Sequence, residues 1–415
     1  MKNKQNFLRV LIFFVGISIP FNNLAITVGR NFSMGFLSIA LYFLGLLPII
    51  TKRWRLRSIY GNMIFLPLLF LILLINVNLY YLSEYNTPIF NTTMFLCFLM
   101  FLALLIHALI DKKALSYCLW GVAFGSILMS ILFTFGVGVE IDDDMRLRMF
   151  DENSNALGIY VCLGIMIILN DFIIYNKLSI GIYRFFFIVA IFPMIALVFA
   201  TASRTSFLIL SIFVILSILL INNKVVRPIK VLIIAGGLYG CYYAVEKLSD
   251  SDLLIVSRLL YTKEENSLSG RDEIWKSVLP YGLEKPIFGW GETGYTKVTK
   301  KVLGLVKYGD GGIVYGYSPH NVFIEVFMYS GIIGLLIMCS FWFLITKRSY
   351  ILFKKYHVVP PLLYLIPIYA CLLSGQLLTA KWAFIIYAYI LSEYNNKRIN
   401  QRKRIVMFSK TNSID

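Results

Sequence analysis

Three residues far apart in a chain of 415 residues have side chains suited to one reaction: Arg204, Arg271 and His320. An arginine presents a planar, permanently charged fork that matches phosphate oxygens. A neutral imidazole accepts a proton near physiological pH. Two such cations and one such base suit a substrate whose diphosphate leaving group is attached to a lipid. Each residue also has a plainer explanation in its local sequence.

Arg204 stands in Thr201-Ala202-Ser203-Arg204-Thr205-Ser206, where two apolar runs join. It is either an arginine that snorkels to a membrane interface or an anion clamp near membrane level. Arg271 lies between Ser269 and Asp272, which resemble a capping box ahead of Ile274, Trp275, Val278 and Leu279 at helical spacing. This predicts a short amphipathic helix on the membrane surface with Arg271 in its first turn, ended by turn residues from Pro280 to Gly291.

His320 lies in Ser318-Pro319-His320-Asn321. Serine at an N-cap followed by proline predicts a helix start with His320 in the first turn. The positive end of such a helix attracts anions and keeps the ring neutral. The plainer reading is a structural histidine. Glu325, further into the same run, is a carboxylate at an expensive depth, either functional or paired with an arginine. Asn321 and Glu325 are the supporting candidates. His107, at a helix end, and His357, among basic residues, are weaker ones. No histidine or distant carboxylate joins Asp142-Asp143-Asp144 to make a metal site, so that run reads as a solvated loop.

Membrane helices must hold these residues. Of the 415 residues 59% are apolar, against roughly 45–50% in an ordinary soluble domain, and 15% are charged, against about 25%. Soluble folds are thereby excluded. Apolar runs able to cross a bilayer as helices occur at 7–27, 32–50, 60–79, 89–109, 114–136, 154–174, 185–202, 207–221, 229–246, 320–345, 358–375 and 380–394. The first is too long for a signal peptide and a second follows closely, so it reads as a retained helix. The six cysteines lie inside apolar runs without ligand spacing and read as core residues.

The formal net charge is +17. With the N-terminus in the cytoplasm and alternate crossings, 24 of the 39 Lys and Arg face the cytoplasm. Ten of the others lie in the long segment 247–319, which translocates regardless of charge, so the short-loop comparison is 24 to five. Both termini are therefore expected in the cytoplasm. The excess charge faces anionic lipid heads, which excludes nucleic acid as the partner. The expected organisation is helices one to nine over 1–246, an outer loop subdomain with an amphipathic helix over 247–319, helices ten to twelve over 320–394, and a basic tail over 395–415 that anchors at the interface. Trp275, Trp290 and several tyrosines argue that the long segment is folded. Within it Gly289-Trp290-Gly291-Glu292-Thr293-Gly294 matches the G-x-G-x-x-G string. A dinucleotide site needs a strand before and a helix after such glycines. Neither is expected here, and the glycines read as turn residues.

The set resembles the O-antigen ligase and polymerase superfamily of bacterial membrane glycosyltransferases. The resemblance is carried by Asp151-Glu152-Asn153-Ser154, Ser203-Arg204-Thr205, Gly270-Arg271 with Trp275, Gly289-Trp290-Gly291, and His320-Asn321 leading to Gly331-Ile332-Ile333-Gly334. Twelve spans with the long loop between the ninth and tenth also look like that family. The resemblance implies transfer of glycan from undecaprenyl diphosphate to an acceptor hydroxyl on the outer face of the bacterial cytoplasmic membrane, with no metal or other cofactor. Arg204 and Arg271 would bind the diphosphate and stabilise its charge as it leaves, and His320 would orient or deprotonate the acceptor. Partners would be the lipid-linked donor, a glycan or lipid A-core acceptor, membrane lipid and other polysaccharide-assembly proteins. Ligases of this type often carry a further histidine two residues before the His-Asn pair. Ser318 at that position favours a polymerase over a ligase. A lipid-linked oligosaccharide flippase is the reading from a different class; matching halves would support it, and none are visible.

Overall fold

The computed structural model describes residues 2–28, 30–50, 62–85, 92–141, 146–174, 181–220, 271–303, 318–375 and 377–411. The ninth apolar run, Asp142–Asp144, Ser269 and Gly270 lie outside the described residues. The chain is mainly helical. It opens with α1 (Lys2–Ile17), the antiparallel strands β1 (Ala25–Val28) and β2 (Arg30–Ser33), and α2 (Met34–Ile50). Then come α3 (Asn62–Tyr85), α4 (Thr92–Ile110), α5 (Ala114–Thr134), and the antiparallel pair β3 (Val139–Ile141) and β4 (Leu147–Met149). Next are α6 (Ser154–Ile167), continued by a π-helical stretch over Ile168–Ile174, α7 (Gly181–Ala200) and α8 (Arg204–Leu220). The remainder is α9 (Arg271–Glu284), α10 (Gly291–Leu303), α11 (Val322–Tyr356), α12 (Pro360–Leu363), α13 (Leu365–Ser374) and α14 (Lys381–Thr411).

Among the described residues, five helical stretches are long and apolar enough to cross a membrane: Ile64–Tyr81, Thr93–Ile110, Ala114–Thr134, Ser154–Asp171 and Val322–Tyr356. Shorter apolar helices cover Gln5–Ile17, Met34–Pro48, Phe185–Ala200, Arg204–Leu220 and Pro360–Leu373. Where they are described the apolar runs are mainly helical, and three departures from expectation bear on the site. The first run does not continue to residue 27. α1 stops at Ile17, because Pro20 has no amide to extend it and restrains Ile19 away from helical angles, and the chain turns into the β1–β2 pair. Pro280 does not end α9; it lies on an exposed face where its missing N–H is tolerated, and the helix runs on to Glu284. The third is the interruption of α11 at Gly331 (φ 61°, ψ −163°).

The chain divides into two compact units, one of residues 1–47, 113–266 and 363–367, the other of 48–112, 267–362 and 368–415. In the first, α1 crosses α5 at almost backbone contact. A Cβ on Gly16 would stand 2.1 Å from the Cys118 carbonyl oxygen, and one on Gly121 the same distance from that of Phe13. Small residues that let backbones approach are how apolar helices associate where no hydrophobic force favours it. Ser126 Oγ donates to Val122 O (2.9 Å) and reaches Tyr160 O on α6 (3.0 Å), tying α5 to α6. In the second unit α11 packs against α3 and α14, and α14 against α4. Among the described cysteines, Cys97, Cys118, Cys162 and Cys371 are buried and none is bridged.

Candidate functional site

The second unit holds two of the three candidate residues. α9 begins at Arg271, as its spacing predicts, and presents Trp275 one turn later. The Trp275 indole N–H donates to the Pro319 carbonyl oxygen at 2.6 Å. That bond joins the first turns of α9 to the residue preceding His320.

His320 itself is not in a helix. α11 starts at Val322 and its N-cap is Asn321, whose Oδ1 accepts from Phe323 N (3.0 Å) and Ile324 N (3.3 Å). The expectation of Ser318 as the cap is therefore corrected. Asparagine at 321 satisfies the orphan amides directly, and Ser318 Oγ instead accepts from His320 N at 3.3 Å. His320 is left in the left-handed region, φ 48°, unusual for a residue with a side chain. Its ring is held below its ordinary pKa first by burial and then by the charge of Arg271. The neutral imidazole expected from a helix dipole is thus present for other reasons.

The long segment also docks into the break of α11. Pro286 O accepts from Ile332 N at 2.8 Å, and Trp290 N donates to Met328 O at 2.7 Å. Residues 286–290 therefore take up the backbone groups that the interruption at Gly331 frees. Close approach dictates the glycine. A Cβ at 331 would stand 2.2 Å from Ile287 O.

Trp290 donates its indole N–H to Tyr281 O (2.7 Å) and stacks on Tyr81 of α3. Lys285 Nζ sits 4.3 Å from the Trp290 ring and 4.4 Å from the Tyr81 ring, a cation–π arrangement. A helix does follow these glycines, against expectation, since α10 starts at Gly291; the element directly before them is the helix α9 rather than a strand. Asn78 of α3 caps that helix, its Oδ1 accepting from Glu292 N at 2.8 Å. Val278, Tyr295, Val298 and Met328 form a buried core with Ile274, Tyr281 and Trp290 packed against it.

Glu325 is one turn inside α11, with the Tyr329 hydroxyl in hydrogen-bonding reach and its Oε2 buried without a partner among the described residues. Tyr295 of α10 is raised above its ordinary pKa by burial and then by the Glu325 charge, so α10 faces that carboxylate. Glu325 thus belongs to a polar cluster behind the α11 N-terminus. Among the described residues no group of three or more His, Cys, Asp or Glu is placed to hold a metal.

Arg204 lies in the first unit, as the first residue of α8. The join with α7 is three residues long, with Ala202 at φ 48° and Ser203 Oγ accepting from Ser206 N (3.3 Å). α6 packs close to this join: a Cβ on Gly158 would stand 2.3 Å from Ser206 Oγ and 3.0 Å from Thr201 Oγ1. Glu152 is buried just before α6, its Oε1 accepting from Asn23 N at 2.8 Å. Asn78 and Glu152 escaped notice as structural polar residues. The signal was available for Asn78, an amide that an apolar run holds beside Asn76. His107 is buried near the end of α4, and His357 caps the end of α11 in a left-handed conformation.

Apolar helices in series, with polar chemistry gathered at their ends, define a multi-pass helical membrane protein. A family model described as O-antigen ligase matches residues 189–339, the stretch that contains Arg204, Arg271 and His320. That match agrees with the ligase and polymerase superfamily that the chain's motifs resemble. No curated protein matches the chain.

Proposed function

We propose that the protein polymerises undecaprenyl-diphosphate-linked oligosaccharide repeat units into a surface polysaccharide, on the outer face of the cytoplasmic membrane. The observation that carries this reading is the pairing of Arg271 with a neutral, partly buried His320, joined through the Trp275–Pro319 hydrogen bond. His320 takes the proton of the acceptor hydroxyl as its oxygen bonds to the anomeric carbon of the donor. The bond from that carbon to the diphosphate breaks, and undecaprenyl diphosphate leaves with the electron pair. Arg271 and Arg204 neutralise the charge that develops on it. Asn321 holds the start of α11 behind the base, and the arginines supply the positive charge without a metal. The partners are the lipid-linked donor, a glycan acceptor and the surrounding lipid.

The second reading is a ligase that moves finished polymer onto lipid A-core, and the description of the matching family favours it. Ser318 favours the polymerase, since its hydroxyl is engaged with the His320 amide where the ligases often have a histidine. Purified protein in lipid should be given lipid-linked repeat units in excess chelator, with and without lipid A-core. Lengthening of the lipid-linked chain in both cases is expected. Transfer only when lipid A-core is added would establish the ligase instead, and activity restored only by magnesium or manganese would overturn metal independence.

A further inference from the structure

His320 occupies a left-handed backbone conformation, φ 48°, that a residue with a side chain adopts only when its surroundings impose it. Something must hold it there. One support comes from α9 through Trp275, whose indole N–H meets the Pro319 carbonyl at 2.6 Å. A second comes from the connection after α13. Gly375 has φ 96°, and a Cβ built on it would stand 2.7 Å from His320 Cα, 3.0 Å from its carbonyl carbon and 3.5 Å from its Cβ. The backbone of 375 thus lies directly against the backbone of 320. Any side chain at 375 would occupy the place of the histidine.

We infer that Trp275 and Gly375 are positioning residues that clamp His320 from two sides and fix its ring beside Arg271. The inference rests on the reading of His320 as the base. Neither residue need touch substrate. Trp275 sets the register between α9 and the 318–321 turn, and it lies four residues after Arg271 on one helical face, so one bond places both the base and the neighbouring cation. Gly375 lets the turn sit close enough for that bond to form. Among the described residues Arg271 is the one charge acting on the imidazole; Trp275 and Ser318 are polar but uncharged, and Gly375 brings backbone alone.

The test uses the full-length protein in lipid nanodiscs, with histidine labelled at ring carbon ε1. The chain has three histidines, so His107→Gln and His357→Gln variants assign the His320 resonance. In the wild type, NMR titration should place His320 below the ordinary histidine pKa of 6.5. In Trp275→Phe, which keeps an aromatic ring and removes the donor, and in Gly375→Ala, the titration should move up toward 6.5 as the ring leaves Arg271. Turnover should fall about 10²-fold, the scale of a misplacement near 1 Å, with the KM for lipid-linked donor changed less than threefold. The acid limb of the rate profile should shift to higher pH by the same amount as the NMR titration. A variant that only misfolded would lose amplitude without moving that limb.

Trp275→Phe and Gly375→Ala with wild-type titration and wild-type turnover would overturn the clamp. His320→Ala with full activity would overturn the base assignment instead, and the NMR titration of the two positioning variants would still decide the clamp.

Discussion

Gly331→Ala should be among the most damaging single changes in the second unit, for reasons that are additive. At φ 61° and ψ −163° the backbone is in a region essentially reserved for glycine, and forcing a side chain there costs about 1–3 kcal/mol. The new methyl would stand 2.2 Å from Ile287 O and 2.6 Å from Phe288 N, so residues 286–290 must move away. Their retreat breaks the bonds Ile332 N to Pro286 O and Trp290 N to Met328 O, each about 1 kcal/mol net. The sum is about 3–5 kcal/mol. Gly136→Ala supplies the control. Gly136 has φ 70° but nothing within 4 Å of its Cβ position, so only the left-handed strain of about 1–2 kcal/mol remains. Thermal unfolding in detergent compares the two variants, and chymotrypsin reads the displaced segment at Phe288 and Trp290. If Gly331→Ala melts no lower than Gly136→Ala and resists chymotrypsin as the wild type does, residues 286–290 do not complete α11.

Three more expectations concern the base, the arginines and the cap of α10. Because burial and Arg271 hold His320 below its usual pKa, a reaction needing the neutral ring should lose its rate at lower pH than an ordinary histidine base would; Arg271→Gln should move that loss to higher pH, read from kcat/KM profiles. His320→Ala should lower turnover by about 10²–10⁴-fold with little change in donor binding, whereas Arg204→Lys and Arg271→Lys should chiefly weaken binding of the lipid diphosphate, because an ammonium cannot form the bidentate pair. Asn78→Ala should remove the cap of α10 and destabilise it by about 1–2 kcal/mol, seen as faster amide hydrogen exchange at residues 292–296.

Patterning reveals the helices and conceals how they are joined. Apolar runs from 32–50 to 358–375 lie on helices wherever the chain is described, because a twenty-residue apolar stretch leaves the backbone no other way to satisfy itself. The position of His320 was harder. Ser318-Pro319 is a sound start signal, but Asn321 offers a competing cap two residues later, and tertiary bonds from Trp275 and packing from Gly375 decide between them. Such contacts join residues 44 and 55 positions away from their partners, where no local rule reaches. The break in α11 is similarly hidden. Gly331-Ile332-Ile333-Gly334 reads as an ordinary stretch of span until the segment that completes it is in place. Pro280 misled in the opposite direction, since a proline ends a helix only when the amide it removes is needed.

The connection after α13 also fixes a depth. Leu377 to Ala380 fold into a turn closed by Ala380 N to Leu377 O, and Cys97 of α4 donates its thiol to Thr379 O at 3.3 Å. Cys97 is four residues into the apolar stretch that starts at Thr93, about 6 Å along the helix at 1.5 Å per residue. With the hydrocarbon beginning near Thr93, such a turn would lie beneath its edge, where non-helical backbone survives only if protein or a water-filled cavity surrounds it. Gly375 of this same connection packs against the backbone of His320, which would bring the base to a comparable depth. Reactants would then have to leave bulk water behind to meet it. In that poorly screened setting a contact between Arg271 and a phosphate would be stronger than at an open surface, and water, the competing acceptor, would be scarcer.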